Sequence, residues 1–212
     1  MVPDMRGFGK SPYTGVDHSI TDMASDIIEM MNRECIDTAH LVGISMGGAV
    51  ALQLACDHNS RFEKLVLVNT FARLRPNSIQ GWFYFAIRLG MIHILGLPTQ
   101  ARFVASRIFP NPDQEHLRQT FIQQVLQSDP QGYRATMRAL MHFNLESQVS
   151  NITNDTLVIT GEKDFTVPLT AQQYLADQIP YVRHIIIDEA GHAVTVEKPV
   201  QVNRILVEFL AN

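Results

Sequence analysis

The chain has 212 residues, of which 46% are apolar and 18% charged, with a formal net charge of −4. That balance suits one domain, or one core with a modest insertion, and excludes wholesale disorder. Basic residues are scattered rather than clustered, which argues against a nucleic-acid partner.

Two cysteines, Cys35 and Cys56, fit no metal-ligand spacing and read as small buried hydrophobes rather than a redox pair. Residues 1–20 lack the basic start and apolar run of a signal peptide, and no uninterrupted 18-residue apolar run occurs. The expectation is a cytoplasmic chain that makes no use of a membrane.

The chain opens on a loop rich in turn residues, Asp4-Met5-Arg6-Gly7-Phe8-Gly9-Lys10-Ser11. It reads either as a tightly held backbone with an internal ion pair or as a loose tail. Ser19-Ile20-Thr21-Asp22 is a helix start with Ser19 at the cap. Apolar residues then recur at Ile20, Met23, Ala24, Ile27, Ile28 and Met31, the spacing of a helix with one buried face.

Next comes a β-like run, Ala39 to Ile44, then Ser45, then a helix-compatible run to about His58. Gly43-Ile44-Ser45-Met46-Gly47 therefore reads Gly-x-Ser-x-Gly between a strand and a helix. That is the setting of a nucleophile elbow, a sharp turn that presents a serine at the carboxyl end of a strand. Small residues at Gly43 and Gly47 are expected because the backbone folds back on itself.

Leu65-Val66-Leu67-Val68 is an all-apolar run, as expected for a strand covered on both faces. From about Arg73 to Ser150 the texture turns helical, broken by Pro76, Pro98, Pro110, Pro112 and Pro130. This stretch reads as an inserted helical module. Its aromatics Trp82, Phe83 and Phe85 either line a substrate pocket or pack the module onto the core. His142, in the same module, is a further candidate for substrate contact.

Sheet texture returns at Thr156 to Thr160, followed by the loop Gly161-Glu162-Lys163-Asp164. A short helix (about 170–178), a strand (184–187) and the loop Asp188-Glu189-Ala190-Gly191-His192 follow. A last helix has one apolar face, Val202, Ile205, Leu206, Phe209 and Leu210.

In parallel α/β sheets, functional groups gather on loops beyond the carboxyl ends of strands. Three such loops carry Ser45, Asp164 and His192, in the order Ser, acid, His. Serine is a weak nucleophile unless an imidazole takes its proton, and a carboxylate can hold that imidazole in the right tautomer. The backbone N–H of Met46, directly after the serine, is placed to stabilise an oxyanion. Glu162, Asp188 and Glu189 are rival carboxylates, but Asp164 is best placed after its strand.

Together, the Asp4–Ser11 loop, Gly43–Gly48, Gly161–Asp164 and Ala190–His192 resemble the α/β-hydrolase fold family. Within it, the chain resembles the cap-bearing esterase, enol-lactonase and carbon–carbon-bond hydrolase branches. The resemblance implies an α/β fold, a mostly parallel sheet with flanking helices and an inserted helical cap. It divides the chain into a core, 1–72 and 151–212, and a cap, 73–150. It implies Ser45 as nucleophile, Asp164 as acid and His192 as base, with no metal and no cofactor. The expected substrate is a small ester, lactone or thioester, and an acyltransferase or carbon–carbon-bond hydrolase would share the same residues.

In that family the Asp-x-Arg-Gly-x-Gly loop follows the fourth strand, so this chain is expected to lack the first three strands and nearly all of the fourth. The loop supplying a second oxyanion N–H is expected to be missing with them. Residues 39–44 then become an exposed sheet edge, suited to pairing with a second copy. Three expectations compete, in this order: a truncated fragment, a chain that completes its sheet with a second copy, and an impaired, hydrolase-fold interaction protein.

Overall fold

A computed structural model describes residues 1–74, 87 and 90–211. Trp82, Phe83 and Phe85 lie outside the described residues. Two compact units emerge, one formed by Ile20–Arg73 with Phe143–Asn212, the other by Met1–Ser19 with Leu74–His142.

The first unit is built on four parallel strands in the order β1-β2-β3-β4: β1 Ala39–Ile44, β2 Phe62–Val68, β3 Asp155–Gly161 and β4 Val182–Ile187. Leu65 to Val68 and Leu157 to Ile159 are almost fully buried, which explains their unbroken apolar runs. Helix α1 (Ile20–Arg33) buries Ile20, Met23, Ala24, Ile27 and Met31, the stripe expected from its periodicity. Helix α2 (Met46–Asp57) follows Ser45 directly and is apolar on nearly all sides, with its residues buried from Gly48 to Ala55.

The final helix, Pro199–Ala211, lays Val202, Ile205, Leu206, Phe209 and Leu210 against Val66, Val68, Leu157, Ile159 and Ile187. Pro199 opens it, at a position where its missing N–H costs nothing. β1 is an edge strand, as expected, and its Val42 and Ile44 are 47% and 41% exposed. No helix among the described residues is long and apolar enough to cross a membrane.

The second unit holds helices Gly96–Ile108, Glu115–Leu126 and Pro130–His142. Pro98 falls in the first turn of its helix and does not interrupt it. The opening loop belongs to this unit rather than to the sheet. Asp4 accepts the Lys10 N–H (2.9 Å), and the Ser11 hydroxyl donates to the Asp4 carbonyl (2.7 Å). Gly7 and Gly9 adopt positive φ, 81° and 52°. A side chain at Gly7 would meet the Gly132 Cα at 2.9 Å, so loop and helix touch backbone to backbone. Asp17 pairs with Arg138 (2.5 Å) and the His18 imidazole with the Thr136 hydroxyl (2.9 Å), completing the clamp.

Residues 143–150 fall instead with the sheet unit. The Leu145 N–H donates to the Ala72 carbonyl (2.8 Å), Arg73 bridges Asn144, and Phe143 packs edge-on against Phe71. The units fall as Ile20–Arg73 with Phe143–Asn212 and Met1–Ser19 with Leu74–His142, so they differ from the division drawn on the sequence at 1–19, 73 and 143–150.

Cys35 is exposed, against the expectation of burial, and Cys56 is half-buried. Cys35 has φ 55° and closes α1: its N–H donates to the Asn32 carbonyl (3.2 Å) and that of Ile36 to the Met31 carbonyl (2.8 Å). This is a Schellman ending with cysteine where glycine is usual. Cys35→Gly is expected to stabilise the fold by about 1 kcal/mol in urea titrations, since the left-handed strain goes. Burial pushes the Cys56 thiol up to about 11. At neutral pH, iodoacetamide is expected to modify Cys35 in the folded chain and to leave Cys56 largely unmodified, as read by peptide mass spectrometry.

Candidate active site

Ser45 sits between β1 and α2 with φ 51° and ψ −113°, a conformation that only a tightly constrained turn sustains. Its N–H donates to the Val68 carbonyl (2.9 Å) and its carbonyl accepts the Ala49 N–H (3.1 Å). The steric demand for glycine falls where the motif suggests at Gly43, but at Gly48 rather than Gly47. A side chain at Gly43 would run into the Gly47 carbonyl and the Gly48 Cα, and one at Gly48 would meet the Thr70 Cβ at 2.5 Å. At Gly47 a side chain would meet nothing within 4 Å. The turn folds back on Gly43 and presses Gly48 onto the neighbouring strand's end, while Gly47 faces open space.

The structure brings Ser45, His192 and Asp164 into one line. His192 Nε2 lies 3.1 Å from Ser45 Oγ, and Nδ1 lies 2.8 Å from Asp164 Oδ2. Asp164 and His192 are each 8% exposed. Asp164 Oδ1 accepts the N–H groups of Thr166 (2.7 Å) and Val167 (2.9 Å). With one oxygen committed to backbone donors, the other is left to face the imidazole. An Asp-bound Nδ1–H leaves Nε2 as the acceptor toward the serine hydroxyl.

The rival carboxylates are exposed, and Glu162 and Glu189 are engaged elsewhere. Glu189 pairs with Lys163, whose ammonium holds its carboxyl below the usual range. Glu162 accepts the Glu189 N–H (3.0 Å), and Asp188 is exposed. Met46 opens α2, so its N–H belongs to the first-turn donors that have no acceptor within the helix. His142 is exposed on the last turn of its helix. Among the described residues no group of three or more His, Cys, Asp or Glu side chains could hold a metal ion.

Several polar residues at the site were passed over by sequence reasoning. Gln172, fully buried on helix Leu169–Gln178, directs its amide N–H₂ toward Asp164 Oδ2 (3.4 Å) and the Val167 carbonyl (3.3 Å). Its amide oxygen accepts the Thr160 hydroxyl (2.8 Å), and that hydroxyl also meets His184 Nε2 (2.9 Å). Since the Thr160 proton is spent on Gln172, His184 must donate through Nε2. Burial lowers the His184 pKa, which favours that neutral form. Glu197 accepts the Gly191 N–H (2.6 Å), bracing the residue before His192. Nothing in the apolar periodicity marks Gln172 or Glu197. Asn69 and Thr70, by contrast, directly follow a buried strand, the same rule that singles out Asp164.

The parallel sheet, the strained serine turn and the aligned imidazole and carboxylate define an α/β protein of the hydrolase type. The chain belongs to the alpha/beta hydrolase fold family, whose sequence profile matches residues 1–199. A protein of Variovorax paradoxus (strain S110) with the provisional name carbamate hydrolase RutD is 33% identical over 98% of this chain and 79% of its own length. The enol-lactonase of Burkholderia xenovorans LB400 superposes with a TM-score of 0.89 at 25% identity, covering 99% of this chain and 79% of that one. A thermophilic esterase from Thermogutta terrifontis gives 0.86 at 26% identity, covering 99% and 78%.

A buried donor stripped of its acceptor costs about 1–3 kcal/mol, whereas removing both partners costs much less. Gln172→Leu is therefore expected to lose stability in that range by urea denaturation, and Thr160→Val/Gln172→Leu less than the sum of the single changes. Strict additivity in that double-mutant cycle would show that the two side chains do not interact.

Proposed function

We propose that this chain is a serine hydrolase that cleaves a small ester, lactone or thioester through an acyl-enzyme. The observation that carries the reading is the unbroken line from Ser45 Oγ through the His192 imidazole to Asp164. Ser45 Oγ attacks the acyl carbon as its proton passes to His192 Nε2. The carbonyl π electrons move onto oxygen, and the Met46 N–H stabilises that oxyanion. When the oxyanion collapses, the bond to the leaving group breaks and the imidazolium returns the proton to it. Water then repeats the sequence, with its proton on His192 and its oxygen on the acyl carbon, and frees Ser45. Asp164 holds the tautomer and offsets the imidazolium charge throughout.

The names of two relatives, one provisionally a carbamate hydrolase and one an enol-lactonase, support an acyl carbon bearing an oxygen or nitrogen leaving group. Trp82, Phe83, Phe85 and His142 are proposed as contacts for the acyl portion. The same array would serve acyl transfer to an acceptor other than water, or cleavage of a carbon–carbon bond. Release of p-nitrophenol from a graded series of acyl esters tests the reading. Ser45→Ala is expected to lower turnover about 10⁴-fold or more and to abolish labelling by a fluorophosphonate. Turnover unchanged in Ser45→Ala would sink the assignment.

A second reading, pairing with another copy through residues 39–44, is favoured by the exposure of Val42 and Ile44 on an edge strand. It expects concentration-dependent dimers in sedimentation velocity that Val42→Lys abolishes. A monomer at every concentration tested would remove it.

A further inference from the structure

Ser45, Asp164 and His192 leave the sheet on three different loops, and something must hold those loops in register. We propose that Val68-Asn69-Thr70, at the carboxyl end of β2, is the positioning device of this site, with Asn69 setting the His192 backbone and Thr70 that of Ser45. The inference rests on the Ser45–His192–Asp164 reading above.

β2 lies between the strand that leads to Ser45 and the strand that leads to Asp164. Its last carbonyl, Val68, accepts the Ser45 N–H (2.9 Å). The Thr70 hydroxyl donates to the Ser45 carbonyl (2.7 Å), so the serine peptide is held from both sides. Asn69 reaches the other two loops. Its Oδ1 accepts the Gly161 N–H (2.8 Å), at the head of the Asp164 loop. Its Nδ2 donates to the carbonyls of Gly191 (3.0 Å) and His192 (2.7 Å).

Asn69 and Thr70 are 0% and 1% exposed. The amide orientation is settled by its partners, because an N–H can face only the oxygen and carbonyls can face only the N–H₂ group. Asn69 also sits at φ 46°, a region that asparagine tolerates better than most residues. An apolar residue there would strand one donor and two acceptors in a dry interior. A space-filling asparagine needs partners of any kind. Here all three partners are backbone atoms of the Asp164 and His192 loops. Asn69 touches no reacting atom, so it acts through His192.

The test compares Asn69→Gly, which removes the amide yet accepts a positive φ, with Thr70→Val and its conservative counterpart Thr70→Ser. Two readouts are taken: kcat and KM on p-nitrophenyl acetate, and the low-field proton NMR signal of His192 Nδ1–H, which needs no turnover. A misplacement of about 1 Å costs about 100-fold, so Asn69→Gly is expected to lower kcat by about that factor with KM changed less than about twofold. The low-field signal is expected to broaden or vanish while thermal unfolding stays cooperative. Thr70→Val is expected to lower kcat about tenfold, and Thr70→Ser to restore most of it, as loss and return of one orienting bond predict.

Wild-type kcat and an intact low-field signal in Asn69→Gly and Thr70→Val, whatever their melting temperatures, would overturn the proposal. If Asn69→Gly fails to fold, the contrast between Thr70→Val and Thr70→Ser decides. A wild-type chain with the low-field signal but no turnover would refute the hydrolase reading alone, and the signal in Asn69→Gly would still decide the positioning role.

Discussion

The hydrogen bond from the Ser45 N–H to the Val68 carbonyl is the point where the sheet hands over to the site. It belongs to the parallel pairing of Ile44 with Val68, the last pair of the β1–β2 ladder. That last rung, with the Thr70 hydroxyl on the Ser45 carbonyl, holds Ser45 in a conformation costing on the order of 1–3 kcal/mol. The glycines make the rung attainable. Side chains at Gly43 and Gly48 would occupy space already taken by the turn itself and by Thr70.

Burial sets the second constraint. Asp164 and His192 lie in a nearly dry interior, where an unpaired charge would be expensive. The carboxylate meets two backbone N–H groups, one imidazole N–H and the Gln172 amide. Every strong position around it is therefore taken by a donor, and its direction is determined by four neighbours instead of one. Behind it, Gln172, Thr160 and His184 form a chain in which each polar group has one acceptable orientation. Such a network resists rotation of the carboxylate because turning any member breaks bonds on both sides.

The fold's main elements were legible because burying one face imposes a period. The stripe of α1, the apolar run of β2 and the face of the last helix all follow from that rule. The positions of Ser45, Asp164 and His192 were legible because strands of a parallel sheet end on one side, and polar residues just past those ends are few. Less was legible where contact, not periodicity, decides. The opening loop packs on the Gly132 helix through backbone contact that leaves no apolar pattern. Cys35 is exposed because the helix ending required a left-handed residue there, which its hydrophobicity does not reveal. Gly47 satisfies the motif, yet the crowded positions are Gly43 and Gly48.

The amino-acid sequence by itself determined the parallel α/β architecture, the serine turn and the loops that carry an acid and a histidine. These depend on short-range spacing and on which residues avoid water, both of which are written along the chain. Only the tertiary structure decided which residues hold those loops together. Asn69 and Gly161 are 92 residues apart, and Asn69 and His192 are 123 apart. A hydrogen bond across such a separation depends on two backbones meeting within a few tenths of an ångström. That coincidence is produced by the packed sheet and has no signature in local composition.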